Sequence, residues 1–336
     1  MNTKASLASG QEPVVVTGIP RSGTSWVGKM LQASGELTYI NEPLNPAHPP
    51  GRSPGVLRAT VSSAYEYITP ANEDGWLEPF GDTFRLRYHL GAELRRNRSP
   101  YDLARTAKYA TSFLAGRLRG RRPLLDDPYA MLASEWLARR LGCRVVVLVR
   151  DPAAIVNSWK RLGWTTDLGE LRNQPLLMRD WLEPFRGEIA SAAASEDPAG
   201  RVGLLWRLLY LVVAEYEQRC PQLRVVRYED LAGDPLVAFA GLYATLGLRF
   251  GERARRAILR STTGNLGGRA HRWSLVRGGL SKTAYRPLDS RANLVAWRDT
   301  LSTQEVTRVR ALTKSVAARW YSSEEPNRTV WEPAGR

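Results

Sequence analysis

The chain has 336 residues, with 48 Lys or Arg against 33 Asp or Glu, a formal net charge of +15. A hydrophobic content of 43% and a charged content of 24% are ordinary for a soluble globular protein, and two cysteines, Cys143 and Cys220, exclude a disulfide framework. The positive excess favours an anionic partner: nucleic acid, a phosphorylated cofactor, an acidic glycan or an anionic membrane.

Residues 1–11 lack the charged-then-apolar pattern of a signal peptide and read as a flexible lead-in. A buried strand is expected over Val14–Thr17, followed by a Gly-punctuated loop and a helix opening at Thr24 that carries Trp26, Val27, Met30 and Leu31. Strand, tight loop and helix N-terminus in that order make an anion site, because the first helical N–H groups lack intrahelical partners and the helix dipole is positive there. Gly18 and Gly23 bracket four residues, as in a phosphate-binding P-loop. Thr24, however, stands where a Walker A motif has Lys, and Arg21 lies inside the loop instead.

Leu37–Ile40 reads as a short strand leading into Asn41-Glu42-Pro43. The proline-rich stretch that follows makes 43–62 a long loop and a candidate wall for an acceptor pocket. Arg85–Arg122 holds eleven Lys or Arg against two acids, Glu93 and Asp102. Within it Leu103, Ala107, Ala110, Phe113, Leu114 and Leu118 recur at helical spacing, so part of it is an amphipathic helix. That basic segment is either a solvated face or a surface that draws in an anionic acceptor.

Leu124-Leu125 reads as a strand and Ala130–Leu141 as a helix. Arg144–Val149 is apolar without alternation, as a strand covered on both faces should be, and a helix then runs from Pro152 to about Leu162. Further along are a long helix over Arg201–Arg219, a strand over Leu223–Arg227 and helices near Pro235–Leu246 and Glu252–Arg260. A Gly-, Ser- and Arg-rich loop over 261–289 precedes two terminal helices, 291–300 and 303–319. The apolar run Leu204–Val213 contains Arg207 and is too short to span a bilayer, so a soluble, cytoplasmic protein is expected. The alternation predicts one α/β domain over 1–336: three layers, a mainly parallel central sheet with helices on both faces, P-loop-like. Ligands in such sheets sit at the carboxyl ends of the strands.

Pro20-Arg21-Ser22-Gly23-Thr24-Ser25-Trp26 resembles the 5′-phosphosulfate loop of sulfotransferases that use 3′-phosphoadenosine 5′-phosphosulfate (PAPS) and release 3′-phosphoadenosine 5′-phosphate (PAP). Arg150-Asp151-Pro152 with Ser158 resembles their 3′-phosphate motif, in which an Arg at a strand end and a Ser two helical turns on converge on one phosphate. Arg227-Tyr228-Glu229-Asp230-Leu231 resembles the segment whose Tyr approaches the nucleotide; a capping carboxylate beside a core Tyr fits the same residues. The resemblance implies that Trp26 stacks on adenine, although a core Trp would read identically, and that Lys282 and Arg286 belong to a basic loop closing the 3′ end.

The resemblance also bears on the proton acceptor. Small-molecule members use a His after a strand, but the matching stretch, Leu124-Leu125-Asp126-Asp127-Pro128, has none, and Asp126 stands where the family usually has Lys. Protein-tyrosine and several carbohydrate members instead place a Glu after the second strand, which is the position of Glu42. A loop carboxylate ending a strand is the plainer reading of the same residue. The three histidines, His48, His89 and His271, have no better claim. Implied, then, is in-line sulfuryl transfer from PAPS to the hydroxyl of a sugar, glycolipid or other metabolite. Glu42 acts as base, and Arg21 with the N–H groups of Ser22–Ser25 faces the departing phosphate. No Walker B-like carboxylate and no His/Cys cluster implies a metal. The alternatives are a P-loop kinase or nucleotide hydrolase, against which Thr24 argues, and a nucleic-acid-binding protein, for which no aromatic-basic interleaving is found. No nucleic acid is therefore expected as a partner. The acceptor and the oligomeric state are not written in the sequence.

Overall fold

The computed structural model describes residues 11–46, 59–96, 98–262, 297 and 300–321. Strand β1 (Val14–Thr17) is buried on both faces because it is the middle of a five-stranded sheet of order β2-β3-β1-β4-β5, all pairings parallel. Its partners are β2 (Leu37–Asn41), β3 (Arg122–Asp126), β4 (Arg144–Val149) and β5 (Leu223–Arg227). The loop after β1 therefore sits where the chain, having built β2 and β3 on one side, crosses to build β4 and β5 on the other. That is where open α/β sheets bind ligands.

Alternate residues of the central strands feed two separate cores, which explains their continuous apolar runs. Val15, Val145, Val147 and Val149 face one cluster. The helices on that face include α2 (Asp74–Phe84), α5 (Ser134–Leu141), α6 (Pro152–Leu162), α10 (Pro198–Arg219) and the last described helix, α14 (Thr303–Tyr321). Val14, Val16, Val146 and Leu148 face the other, with α1 (Thr24–Gln32), α11 (Tyr228–Gly233), α12 (Pro235–Thr245) and α13 (Glu252–Thr262). Both cysteines are free and buried, as small core residues. None of the described helices is long and apolar enough to cross a membrane.

Several elements differ from the sequence expectation. The expected helix over 130–141 is a short 3-10 turn, Pro128–Ala130, followed by α5. Two helices beyond those expected are α2 and α3 (Leu90–Arg96), and two short ones, α7 (Gly169–Arg172) and α8 (Pro175–Leu177), precede α9 (Arg186–Ala194). Ser261 closes α13 rather than opening the late loop. The basic segment does carry a helix, α4 (Pro100–Leu118), but of its apolar stripe Phe113 turns inward while Leu103, Leu114 and Leu118 are exposed. The reason is Gly116, where an added Cβ would lie 2.1 Å from Thr38 Oγ1. The helix backbone comes down onto β2 there, turning Phe113 and Arg105 inward. The segment is also not one basic face, since Arg105 and Arg122 are buried.

Arg122 opens β3 and ties three parts of the fold together. Its Nε donates to the Glu12 carbonyl at 2.8 Å and its Nη1 to the Leu246 carbonyl at 2.7 Å. Charge-assisted bonds of this kind to buried carbonyls are worth ~1.5–3 kcal/mol each. Arg122→Met keeps the apolar stem and removes both bonds. It should lower the denaturant midpoint by the equivalent of about 2–4 kcal/mol with an unchanged m-value; a midpoint within error of the parent would show that the two carbonyls are held otherwise.

Candidate active site

The loop after β1 is shaped by close backbone approaches. Ser22 N–H donates to the Ile19 carbonyl at 2.9 Å, and Arg21 and Gly23 take left-handed backbone at φ 80° and 105°. A Cβ on Gly23 would lie 2.7 Å from the Tyr228 ring, so the position accepts only glycine. Helix α1 then begins with no side-chain cap and no acid in its first turn. Such an end presents N–H groups and partial positive charge to whatever lies before it. Beneath it, Ser22 Oγ and Thr17 Oγ1 are buried with no hydrogen-bond partner among the described residues. An anion's oxygens would satisfy this cradle, and the residues present fit a phosphate.

The two phosphate-type motifs meet directly. Arg21 Nε donates to Ser158 Oγ at 3.1 Å, and Arg150 Nη1 donates to the Arg21 carbonyl at 3.0 Å. The Arg150 guanidinium rests 4.4 Å from the centre of the Tyr228 ring. Burial, and next the charges of Arg150 and Arg161, hold the Arg21 guanidinium below the ordinary arginine value. Positive charge gathered this tightly is relieved by an anion. Asp151 does not neutralise it: the carboxylate caps α6 through the Ala153 and Ala154 N–H groups and pairs with Arg310.

Indole N–H groups hold the walls. Trp159 Nε1 donates to the Pro20 carbonyl at 2.9 Å, and Trp206 Nε1 to the Arg150 carbonyl at 3.0 Å. Trp26 is a core side chain here: it is buried, edge-on to Tyr228 and Phe239, and donates to Ser261 Oγ at 2.9 Å. Tyr228 is also buried, beside Trp26. Glu229 does not cap its own helix: it accepts from Asp151 N–H at 3.0 Å and from the Tyr321 hydroxyl at 2.9 Å. Lys282 and Arg286 lie outside the described residues.

Glu42 follows β2 with φ 45°, an uncommon backbone for a non-glycine residue. Its strand is two strand spacings from β1, roughly 10 Å. Burial pushes its carboxyl up to about 7; a hydrogen bond from Asn45 Nδ2 at 2.8 Å opposes the shift and the charge of Asp126 adds to it. Asp127 holds the following turn by accepting from Leu44 N–H at 2.6 Å and Tyr129 N–H at 2.9 Å. Tyr129 and Tyr109 both feel the Glu42 charge, so the two phenols line its surroundings.

Sequence reasoning assigned no role to three contributors. Asp126 ends the strand beside β1 and accepts from Thr24, Ser25 and the Tyr39 hydroxyl, with Lys29 close by; burial raises it to about 6 against those partners. Its sequence neighbours gave no signal, because the contact is made across strands. Among the described residues no group of three or more His, Cys, Asp or Glu could hold a metal. Arg105 is the second: it bonds to Tyr109, yet its Nη1 is buried without a hydrogen-bond partner. Trp159 is the third, and its only signal was adjacency to Ser158.

Residues 13–252 match the family model described as the sulfotransferase family. Carbohydrate sulfotransferase 5 of Mus musculus is 30% identical over 199 residues, 56% of this chain and 41% of that protein, so the chain spans about two fifths of this relative's length. Similar solved structures include the sulfotransferase domain from the curacin biosynthetic pathway, at 14% identity and TM-score 0.46, covering 89% of this chain and 96% of that one. Another is mouse sulfotransferase SULT7A1 complexed with PAP, at 13% identity and TM-score 0.46, covering 93% and 85%.

The Trp159 bond tests whether loop position matters for binding. Trp159→Phe keeps most of the ring and removes the N–H held by Pro20. PAP affinity by calorimetry should fall about tenfold, while stability changes by only about 1 kcal/mol. Unchanged affinity would mean that the loop is positioned without this bond.

Proposed function

The chain belongs to the sulfotransferase family, and we propose that it moves a sulfuryl group from PAPS to a carbohydrate hydroxyl with Glu42 as general base. The observation that carries this reading is the joined cation and backbone cradle at Arg21, Ser158, Arg150 and the uncapped start of α1, with the buried Glu42 carboxyl across the sheet end. PAPS, when bound, supplies the activated sulfuryl group. Everything else is done by the chain.

The N–H groups opening α1 and the Arg21 guanidinium face the 5′ end and balance the charge left on the departing phosphate. Arg150 and Ser158 hold the 3′-phosphate, a guanidinium fork beside a hydroxyl. Tyr228 underlies both grips, and Trp26 packs behind it in the core. Glu42 takes the acceptor proton; a carboxyl near 7 is ionised for half the molecules at neutral pH yet basic enough to accept a proton in the transition state. Such help is typically worth ~10²–10⁴ in rate. Asp126 orients the loop through Thr24 and Ser25 and is a positioning residue.

Likeness to a carbohydrate sulfotransferase supports a sugar acceptor. Tyr109 and Tyr129 offer flat surfaces and hydroxyls beside Glu42. The two free thiols suit a reducing compartment such as the cytoplasm.

Two substitutions test the roles. Glu42→Gln should cut turnover by about 10²–10⁴ and abolish the acidic limb of kcat/KM, which in the parent rises as pH increases through about 7; PAP affinity should stay within error. Loss of turnover and affinity together would make Glu42 structural. Arg150→Ala should weaken PAPS by about 2 kcal/mol more than adenosine 5′-phosphosulfate, which has no 3′ group. Equal losses would remove Arg150 from the 3′ site.

A further inference from the structure

A second concentration of positive charge lies at the opposite end of the sheet. α1 and α13 flank a groove of about 660 Å³ whose wall carries Lys29, Arg121, Arg253, Arg256 and Arg260. Arg253, Arg256 and Arg260 are spaced i, i+3, i+7, so they form one stripe on α13. Arg121 comes from the facing side, just ahead of β3, and Leu37 gives the floor an apolar patch. None of the lining side chains described is an acid.

The groove is not the cradle after β1. Leu37, which it includes, opens β2, and Glu42 follows the end of the same strand. Five residues of strand span roughly 15 Å. The donor loop, Arg150 and Glu42 all lie at the carboxyl ends of the strands, whereas the groove opens toward their amino ends.

Ordinary structural reasons account for part of this charge. The C-terminal end of α1 adjoins the groove, and its dipole amounts to only ~−0.5 charge. Arg256 pairs with Glu252 at 3.3 Å, on an exposed helix surface where such pairs contribute little. Lys29 lies 3.2 Å from the centre of the Tyr39 ring; burial pushes its ammonium down to about 8, opposed by Asp126 and furthered by Lys108. With Arg256 and Lys29 so accounted for, Arg121, Arg253 and Arg260 still leave positive charge in excess around one concavity, and focused charge of this kind attracts counter-ions.

We propose that this groove is a second anion site, taking a compact polyanion that carries several sulfate or phosphate groups, independent of the loop at Gly18–Gly23. The arginine forks bind the anionic oxygens, and Ala33 and Ala257 meet the apolar ring or carbon frame between them. The inference does not rest on sulfuryl transfer.

The test uses the full chain, near-physiological salt and two probes, sucrose octasulfate and myo-inositol hexakisphosphate, titrated by calorimetry with and without saturating PAP. Binding of either probe, unaffected by PAP, is expected; binding of one alone identifies sulfate or phosphate as the preferred group. Arg253→Gln with Arg260→Gln should weaken it by about tenfold or more, and Arg121→Gln on the opposite wall by several-fold. A charge-matched control, Arg179→Gln with Arg186→Gln on a distant surface, should change it by less than about twofold. All of these arginines are exposed or half-buried, and matching thermal unfolding curves verify the fold. No binding, displacement by PAP, or equal losses in groove and control variants would each overturn the proposal, the last by showing only diffuse attraction to a basic protein.

Discussion

The bare amino end of α1 is the constraint on which the rest of the site depends. A side chain capping those N–H groups would stabilise the isolated helix, and it would also fill the place of a phosphate. Gly23 leaves them uncapped, and the surrounding structure holds that arrangement in place. β1 is pinned between β3 and β4, Trp159 grips the Pro20 carbonyl, and the Tyr210 hydroxyl donates to the Leu148 carbonyl at the end of β4. Dipoles fixed in advance in this way need no reorganisation when charge arrives, which is the main means by which a protein stabilises a transferring phosphate or sulfuryl group.

The central sheet was legible because burial on both faces leaves an unmistakable mark, the unbroken runs Val14–Val16 and Val145–Val149. The turn from β4 into α6 was equally plain, since Asp151-Pro152 is a cap followed by a residue preadapted to a first helical turn. The orientation of α4 was not legible. Its leucines form a proper stripe, yet the tight approach of Gly116 to Thr38 overrides hydrophobic periodicity and leaves them facing water. α2, α3 and the short turns over 169–185 are irregular and interrupted by Pro79, Pro175 and Pro184, so no long period announces them.

In the site, the loop and the Arg150–Ser158 pair could be read as motifs because each is local in sequence. Their direct contact through Arg21 could not, nor could the role of Asp126, which depends on β3 lying beside β1. The carboxyls of Glu42, Asp126 and Asp127 crowd one sheet end; burial raises all three, and neighbouring carboxylates add to the shift of Glu42 and Asp127. Two of them are absorbed by backbone and hydroxyl donors. Glu42, which accepts from Asn45 Nδ2 and is set on a strained backbone, is the one we propose for proton chemistry.

Tyr228 lies under Gly23 on one side and under the Arg150 guanidinium on the other. A single phenol ring therefore fixes the spacing between the two grips. Shrinking it would loosen both ends together, and enlarging it would push them apart together. The separation between the Gly23 loop and the Arg150 guanidinium is thus inherited as one quantity, and sequence drift on either flank alone leaves it unaltered.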